Sequence, residues 1–236
     1  MTRETMEENI GRIRRELAEA SEGRYSVPRL MAVTKTRPPE EILLLKEMGI
    51  TEIGENRVQE LKSKLPELAG AFQVHLIGRL QRNKVRQIVG DVCMIESVDS
   101  PELAEEISRR ALDAGLRMNV LAEISPAGEK QKGGIPAAET ECFLRRIAVL
   151  EGIRVKGLMA VMPQTEDTAY LDGLFAQMRN LFERVRETAI PGVEMEELSM
   201  GMSGDYRLAA RHGATIVRVG SAIFGPRESR EPDKRN

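Results

Sequence analysis

The chain has 236 residues, enough for one large domain or two small ones and for a sizeable core without covalent staples. Its 35 Lys and Arg against 37 Asp and Glu leave a net charge of −2, which excludes the electrostatic footprint expected for nucleic acid or an acidic membrane surface. With no Trp, three Tyr, five Phe and two His, there is little material for a base-stacking surface or a multi-histidine metal site, and no metal is expected.

Met6, Ile10, Ile13 and Leu17 recur on a helical period and predict a first helix. The stretch is charged throughout and lacks the apolar run of a signal peptide, and no charge-free run reaches the length of a membrane span, so a cytoplasmic protein is expected. One unit then repeats: a helical stretch, a glycine, a short apolar β-rich run. Gly23 precedes VPRLMAVT. A helix over 39–48, with Ile42, Leu45 and Met48 on one face, leads to Gly49 and ITEIG. Gly70 precedes FQVHLIG and Gly90 precedes VCMIESV. Ser100 as N-cap and Pro101 at the first helical position open a helix with Leu103, Ile107 and Ala111, followed by Gly115 and MNVLAEI. Pro136 is read as opening the next, with Phe143, Ile147 and Leu150, before Gly152 and IRVKGLMAV. A long helix over 167–189 carries Leu171, Leu174, Met178, Leu181 and Val185. Gly192 precedes EELSM and Gly213 precedes ATIVRVG.

Eight strands alternating with helices predict an α/β fold, a single-domain (β/α)₈ TIM barrel over residues 1–227 with an extra N-terminal helix. A doubly wound sheet is the alternative, but neither GxGxxG nor a Walker A motif is present. After the eighth strand only SAIFG and a charged tail, 228–236, remain, and the tail is expected to be disordered. The first helix is therefore expected to take the place of the eighth outer helix. Cys93 and Cys142 lack CxxC spacing and are read as buried free thiols. The charged outer helices predict a monomer.

Barrel chemistry sits where strands end. Strand one ends in Val33-Thr34-Lys35-Thr36. Desolvation of a lysine there favours the neutral amine that forms Schiff bases, although an ordinary snorkelling lysine has the same pattern. Strand two ends in Gly54-Glu55-Asn56-Arg57, where Asn56 either lines a polar pocket or caps a helix. His75 lies mid-strand and reads as a core histidine. The loops after strands seven and eight often bind phosphate in barrels; here they offer Ser203, Gly220 and Ser221, with Arg218 in strand eight. Strands one and eight are neighbours in a closed barrel, so Lys35, Arg218 and the phosphate donors would share one pocket. A phosphorylated aldehyde or ketone fits it, and pyridoxal 5′-phosphate (PLP) meets both requirements.

The ordered motifs AVTKTRP, IGENRVQE, HLIGRLQRNK, IESVDS, GLMAVMP, LSMGMSGDY and VRVGSAIFG resemble those of the pyridoxal-phosphate homeostasis proteins, whose fold is similar to the N-terminal barrel of alanine racemase. The resemblance spans about residues 8 to 227. It implies that Lys35 forms the internal aldimine with PLP and that Asn56 lies beside the cofactor. It also implies that Ser203, Gly220 and Ser221 surround the phosphate, that Arg218 faces the pyridine nitrogen, and that Met202 packs nearby. Arg57 stands where the family usually has Tyr, and Arg79 where it usually has Pro.

Three functions follow as expectations: a PLP-binding protein that buffers or delivers the cofactor to apo PLP-dependent enzymes without catalysis; a PLP-dependent amino-acid racemase; and a Schiff-base enzyme on a sugar phosphate. Racemases of this fold take a second base, a tyrosine, from a separate C-terminal domain. Tyr206, the nearest candidate by loop position, is read as a packing or rim residue.

Overall fold

Glycine spacing sets where the strands begin. Gly49 and Gly115 end helices with φ of 71° and 70°, a left-handed conformation that costs an ordinary L residue about 1–2 kcal/mol, and each is followed by a strand three residues on. Gly152 is required by proximity instead, since a Cβ there would lie 2.1 Å from the Ser108 carbonyl oxygen. In the computed structural model, which describes residues 1–68, 70–128 and 133–226, these starts open eight parallel barrel strands. They are β1 (Arg29–Val33), β2 (Glu52–Glu55), β3 (Gln73–Leu76), β4 (Met94–Val98), β5 (Met118–Ser125), β7 (Ile153–Ala160), β8 (Val193–Ser199) and β9 (Ile216–Val219). A two-residue strand, β6 (Ile135–Pro136), extends the edge of β5. The pairing runs β1-β2-β3-β4-β5-β7-β8-β9 and returns to β1, where Ala32 sits opposite Val219 and, on the other side, Ile53. The expected closed (β/α)₈ barrel is therefore what the chain forms.

The helices are α1 (Arg3–Ser21), α2 (Pro39–Glu47), α3 (Val58–Leu68), α4 (Pro101–Asp113), α5 (Thr140–Ile147), α6 (Thr168–Thr188), α7 (Tyr206–Arg211) and α8 (Ser221–Phe224), with a 3₁₀ turn at Arg82–Gln87 between β3 and β4. As expected, α1 fills the position left by the single-turn α8. It buries Met6, Ile10, Ile13 and Leu17, and Asn9 Nδ2 donates to the Ile223 carbonyl at 3.1 Å. Pro136 ends β6 and caps a 3₁₀ turn, Ala137–Glu139, that runs straight into α5, so it opens the helical segment one turn ahead of the α-helix. Two readings are corrected. Cys142 is free but exposed, because it falls one position off the apolar face set by Phe143 and Ile147, and Cys93 is only half-buried. β8 starts at Val193, earlier than read, because its first half is partly solvated and places Glu194 and Glu196 beside Lys156. The expected tail, 228–236, lies outside the described residues.

Strand alternation sorts the core. Ala32, Val74, Leu76, Ile95, Val120, Ala122, Leu198, Val217 and Val219 join the main cluster between barrel and helices. Their sequence neighbours turn into the lumen. There Met94, Leu121 and Met159 form a separate small cluster, and the buried polar residues His75, Glu96, Ser199 and Arg218 lie on the same inward phase. On β1 the inward phase runs Met31, Val33 and then Lys35. Among the described residues no helix is long and apolar enough to cross a membrane.

Candidate functional site

The turn that carries Lys35 is held from behind. Thr34 is fully buried, and Thr36 adopts φ 68°, a left-handed conformation that a β-branched residue rarely enters without compensation. The compensation comes from α3. Glu60 accepts the Thr36 N–H. Buried Lys64 donates to the Thr34 carbonyl at 2.9 Å, to Glu55 Oε1 at 2.8 Å and to Glu60 Oε1 at 2.7 Å. Thr34 Oγ1 adds a bond to Glu55 Oε1 at 2.6 Å. Burial pushes the Glu55 carboxyl above the ordinary range despite Lys64. Burial also works to raise Glu60, but Lys64 and the Thr36 N–H overrule it and hold that carboxyl below the ordinary range. The strained turn thus fixes the point from which the Lys35 side chain departs.

Lys35 opens into a cavity of about 430 Å³ at the C-terminal end of the barrel. All seven site residues read from the sequence line it: Lys35, Asn56, Met202, Ser203, Arg218, Gly220 and Ser221. Ile77, Gln164 and Phe224 also line it, and no sequence pattern singled them out. A serine hydroxyl has two acceptor lone pairs and one proton. Ser203 Oγ accepts from Gly220 N at 3.1 Å and Ala222 N at 3.2 Å, so its own O–H remains to donate. Arg218 is buried, and Nη1 donates to Ser199 Oγ at 2.7 Å and Nη2 to the Ala160 carbonyl at 2.8 Å. Two of the five N–H bonds of its guanidinium are so used. Asn56 Oδ1 is buried without a hydrogen-bond partner, which is costly unless a ligand supplies one. These features match a ligand with an anionic group near Ser203 and a polar ring near Asn56 and Arg218. PLP fits them.

Asn56 is placed by its neighbour strand. A Cβ on Gly78, just past β3, would lie 2.3 Å from the Asn56 carbonyl oxygen and 2.7 Å from its Cα. Gly78→Ala should therefore push Asn56 out of the cavity wall and cost about 1–3 kcal/mol of stability. Urea unfolding and ligand titration of this variant check both effects, and unchanged values in both would refute the account.

Arg57 and Arg79 do not line this cavity. With Arg82, Lys84, Asp99 and Glu102 they line a wider one of about 760 Å³ next to it, and Asn56 belongs to both walls. Glu123 on β5 stands nearby, and burial, aided by Asp99, raises its carboxyl to about 7 against the pull of Arg218 and Arg79. Tyr206 is buried against α1, where its hydroxyl meets Glu16 and Arg12, and it is absent from the lining of the Lys35 cavity.

Residues 2–228 match the model of the alanine racemase N-terminal domain family. A pyridoxal phosphate homeostasis protein of Aquifex aeolicus is 37% identical over 201 residues, covering 85% of this chain and 87% of that one. The chain belongs to the family of pyridoxal phosphate homeostasis proteins. The structure of PipY from Synechococcus elongatus with PLP bound superposes with a TM-score of 0.82 at 33% identity, covering 93% of this chain and all (100%) of that one. Alanine racemase of Clostridium difficile shares the fold, with a TM-score of 0.74 at 15% identity, and this chain spans 58% of its length.

The Lys35 cavity draws on residues that the motifs made visible and on others that they hid. Glu60 and Lys64 are spaced i,i+4, which reads as an exposed helical pair, yet Lys64 is buried under the Lys35 turn.

Proposed function

We propose that the protein binds pyridoxal 5′-phosphate in the Lys35 cavity and serves its homeostasis, buffering the cofactor or delivering it to apo PLP-dependent enzymes. The observation that carries this reading is the convergence of an amine, a hydroxyl proton donor and a buried guanidinium on one cavity of about 430 Å³. When bound, the cofactor supplies an aldehyde with which a lysine amine condenses. Lys35 presents that amine from a turn pinned by Glu60 and Lys64. Ser203 offers its O–H, and the Gly220 backbone, free of a side chain, lets an anion come close. Arg218 turns its remaining N–H groups to the ring and, having no acceptor and no readily lost proton, leaves a ring nitrogen unprotonated. Met202 and Ser221 complete the wall.

Binding without turnover is the reading favoured over a racemase. Racemisation needs a proton donor on each face of the substrate, and among the described residues the cavity wall contains Lys35 but neither tyrosine nor histidine. Purified protein should be yellow, with a visible band that borohydride removes. Lys35→Ala should abolish the band, and an identical band in that variant would refute the assignment. Ser203→Ala should weaken PLP retention about tenfold, corresponding to the loss of one hydrogen bond to a charged group. Equilibrium dialysis measures that loss. Alanine racemisation at a useful rate, lost in Lys35→Ala, would replace the binding reading with the enzymatic one.

A further inference from the structure

Arg218 is the end of a hydrogen-bonded chain that crosses the barrel lumen. Its Nη1 donates to Ser199 Oγ at 2.7 Å on β8. Ser199 Oγ donates to Glu96 Oε2 at 2.6 Å on β4. Glu96 Oε1 meets His75 Nδ1 at 2.7 Å on β3. Every member is buried, Glu96 and Ser199 completely. The guanidinium also stands 4.0 Å from Glu96 Oε2, the carboxylate paired with it across the lumen. Glu123 and Asp205 act on it from farther off, from β5 and the turn before α7.

We propose that Glu96 is the positioning residue of the cavity's ring end: with Ser199 and His75 it anchors Arg218 so that the guanidinium's remaining donors face the cofactor ring. This rests on the reading of Arg218 as the ring-end residue.

The argument is one of charge and geometry. A buried guanidinium needs a counter-charge, because an unpaired buried ion costs several kcal/mol. Glu96 supplies it through two routes, directly and through the Ser199 hydroxyl. Burial works to raise the Glu96 carboxyl, but His75, Arg218 and Ser199 outweigh it and hold it ionised. Burial likewise works to lower His75, yet Cys93 and Glu96 raise it to about 10, so the imidazole is a second cation flanking the same carboxylate. One anion between two cations fixes all three side chains. Without the anion, His75 can shed its proton and Arg218 cannot. The guanidinium is then drawn toward Glu123 and Asp205, away from its place on the wall.

Glu96→Gln keeps the shape and removes the charge. In cofactor-free protein, the His75 titration followed by NMR should fall from about 10, because burial is then opposed by Cys93 alone. In loaded protein, PLP should bind about tenfold more weakly, and the visible band should move in wavelength and in pH midpoint, as in Arg218→Lys. A merely structural glutamate would change the melting temperature and leave the band in place. Ser199→Ala, which deletes only the bridging hydroxyl, should move the band in the same direction and serves if Glu96→Gln does not fold. Unchanged affinity and an unmoved band in Glu96→Gln or Ser199→Ala, with Arg218→Ala weakened, would overturn the positioning role alone. Unchanged binding in Arg218→Ala would overturn the ring-end reading beneath it.

Discussion

Lys64→Met lowers the unfolding free energy by about 3–5 kcal/mol, the cost of removing one partner from a buried ion pair. Methionine preserves most of the side-chain volume, so the loss is electrostatic rather than steric. The ammonium has three N–H donors, and all three are engaged, on Thr34 O, Glu55 Oε1 and Glu60 Oε1. Glu55 is fully buried and its Oε2 already lacks a partner, so the variant leaves a carboxylate with only the Thr34 hydroxyl. The deficit depends on pH. Burial already raises Glu55 above its unfolded value, and loss of Lys64 raises it further. A carboxyl with a raised folded pKa favours the native state at low pH and opposes it as pH climbs through that value. The Glu55 part of the deficit should therefore grow as pH rises from 5 to 8, on top of the loss at Glu60 and the Thr34 carbonyl. Urea unfolding at the two pH values reads this directly, and a loss under about 1 kcal/mol at pH 8 would show that the cluster carries no such weight. The cavity should feel it as well. Thr36 stays at φ 68° while Glu60 and Lys64 compensate, so the Lys35 turn relaxes and PLP leaves faster.

The glycine-to-strand spacing made the barrel legible because backbone conformation is local: a residue that ends a helix in the left-handed region does so whatever lies across the fold. The cavity residues were legible for a second reason. Parallel strands bring their C-terminal ends to one face, so topology alone gathers Lys35, Ser203 and Arg218, while Asn56 rests on the family resemblance. What stayed hidden depends on which faces meet. Glu96 lies 103 positions from Ser199, and the two touch only because the inward phases of β4 and β8 face each other across the lumen. Lys64 looks like a solvated lysine until α3 is laid against the turn after β1. Pro136 carries the mark of a helix start and serves both as the end of a strand and as the cap of the 3₁₀ turn before α5, since fixed φ and a missing N–H suit both places. Arg57 and Arg79, the two departures from the usual family residues, line a cavity that adjoins the Lys35 cavity, with Asn56 as the shared wall.

Raising the pH from about 6.5 to about 10 erodes native stability through His75, with a limiting slope of about 1.4 kcal/mol per pH unit for a single proton. The folded imidazole holds its proton to about 10, whereas the unfolded one releases it near the ordinary value. Within that window the native state binds more protons than the unfolded chain, so stability falls as pH rises. The contribution is complete below the unfolded value and gone above the folded one. Two neighbours titrate in other windows. Glu123, raised to about 7, weakens the fold between its ordinary range and neutrality. Glu96, held below the ordinary range, supports the fold above that range and loses its effect only in acid. His75→Asn should therefore flatten the alkaline limb, and it also removes one of the groups that hold Glu96 low in acid. Unfolding free energies at pH 7, 8 and 9 for the two proteins decide it, and parallel slopes would mean that His75 is not protonated in the native lumen. The sign has a consequence for the cavity. As His75 discharges, Glu96 keeps its charge because Arg218 stays beside it, and the direct contact and the Ser199 bridge to the guanidinium remain. Alkaline pH thus weakens the barrel while leaving Arg218 anchored, and cofactor retention should outlast the early loss of stability.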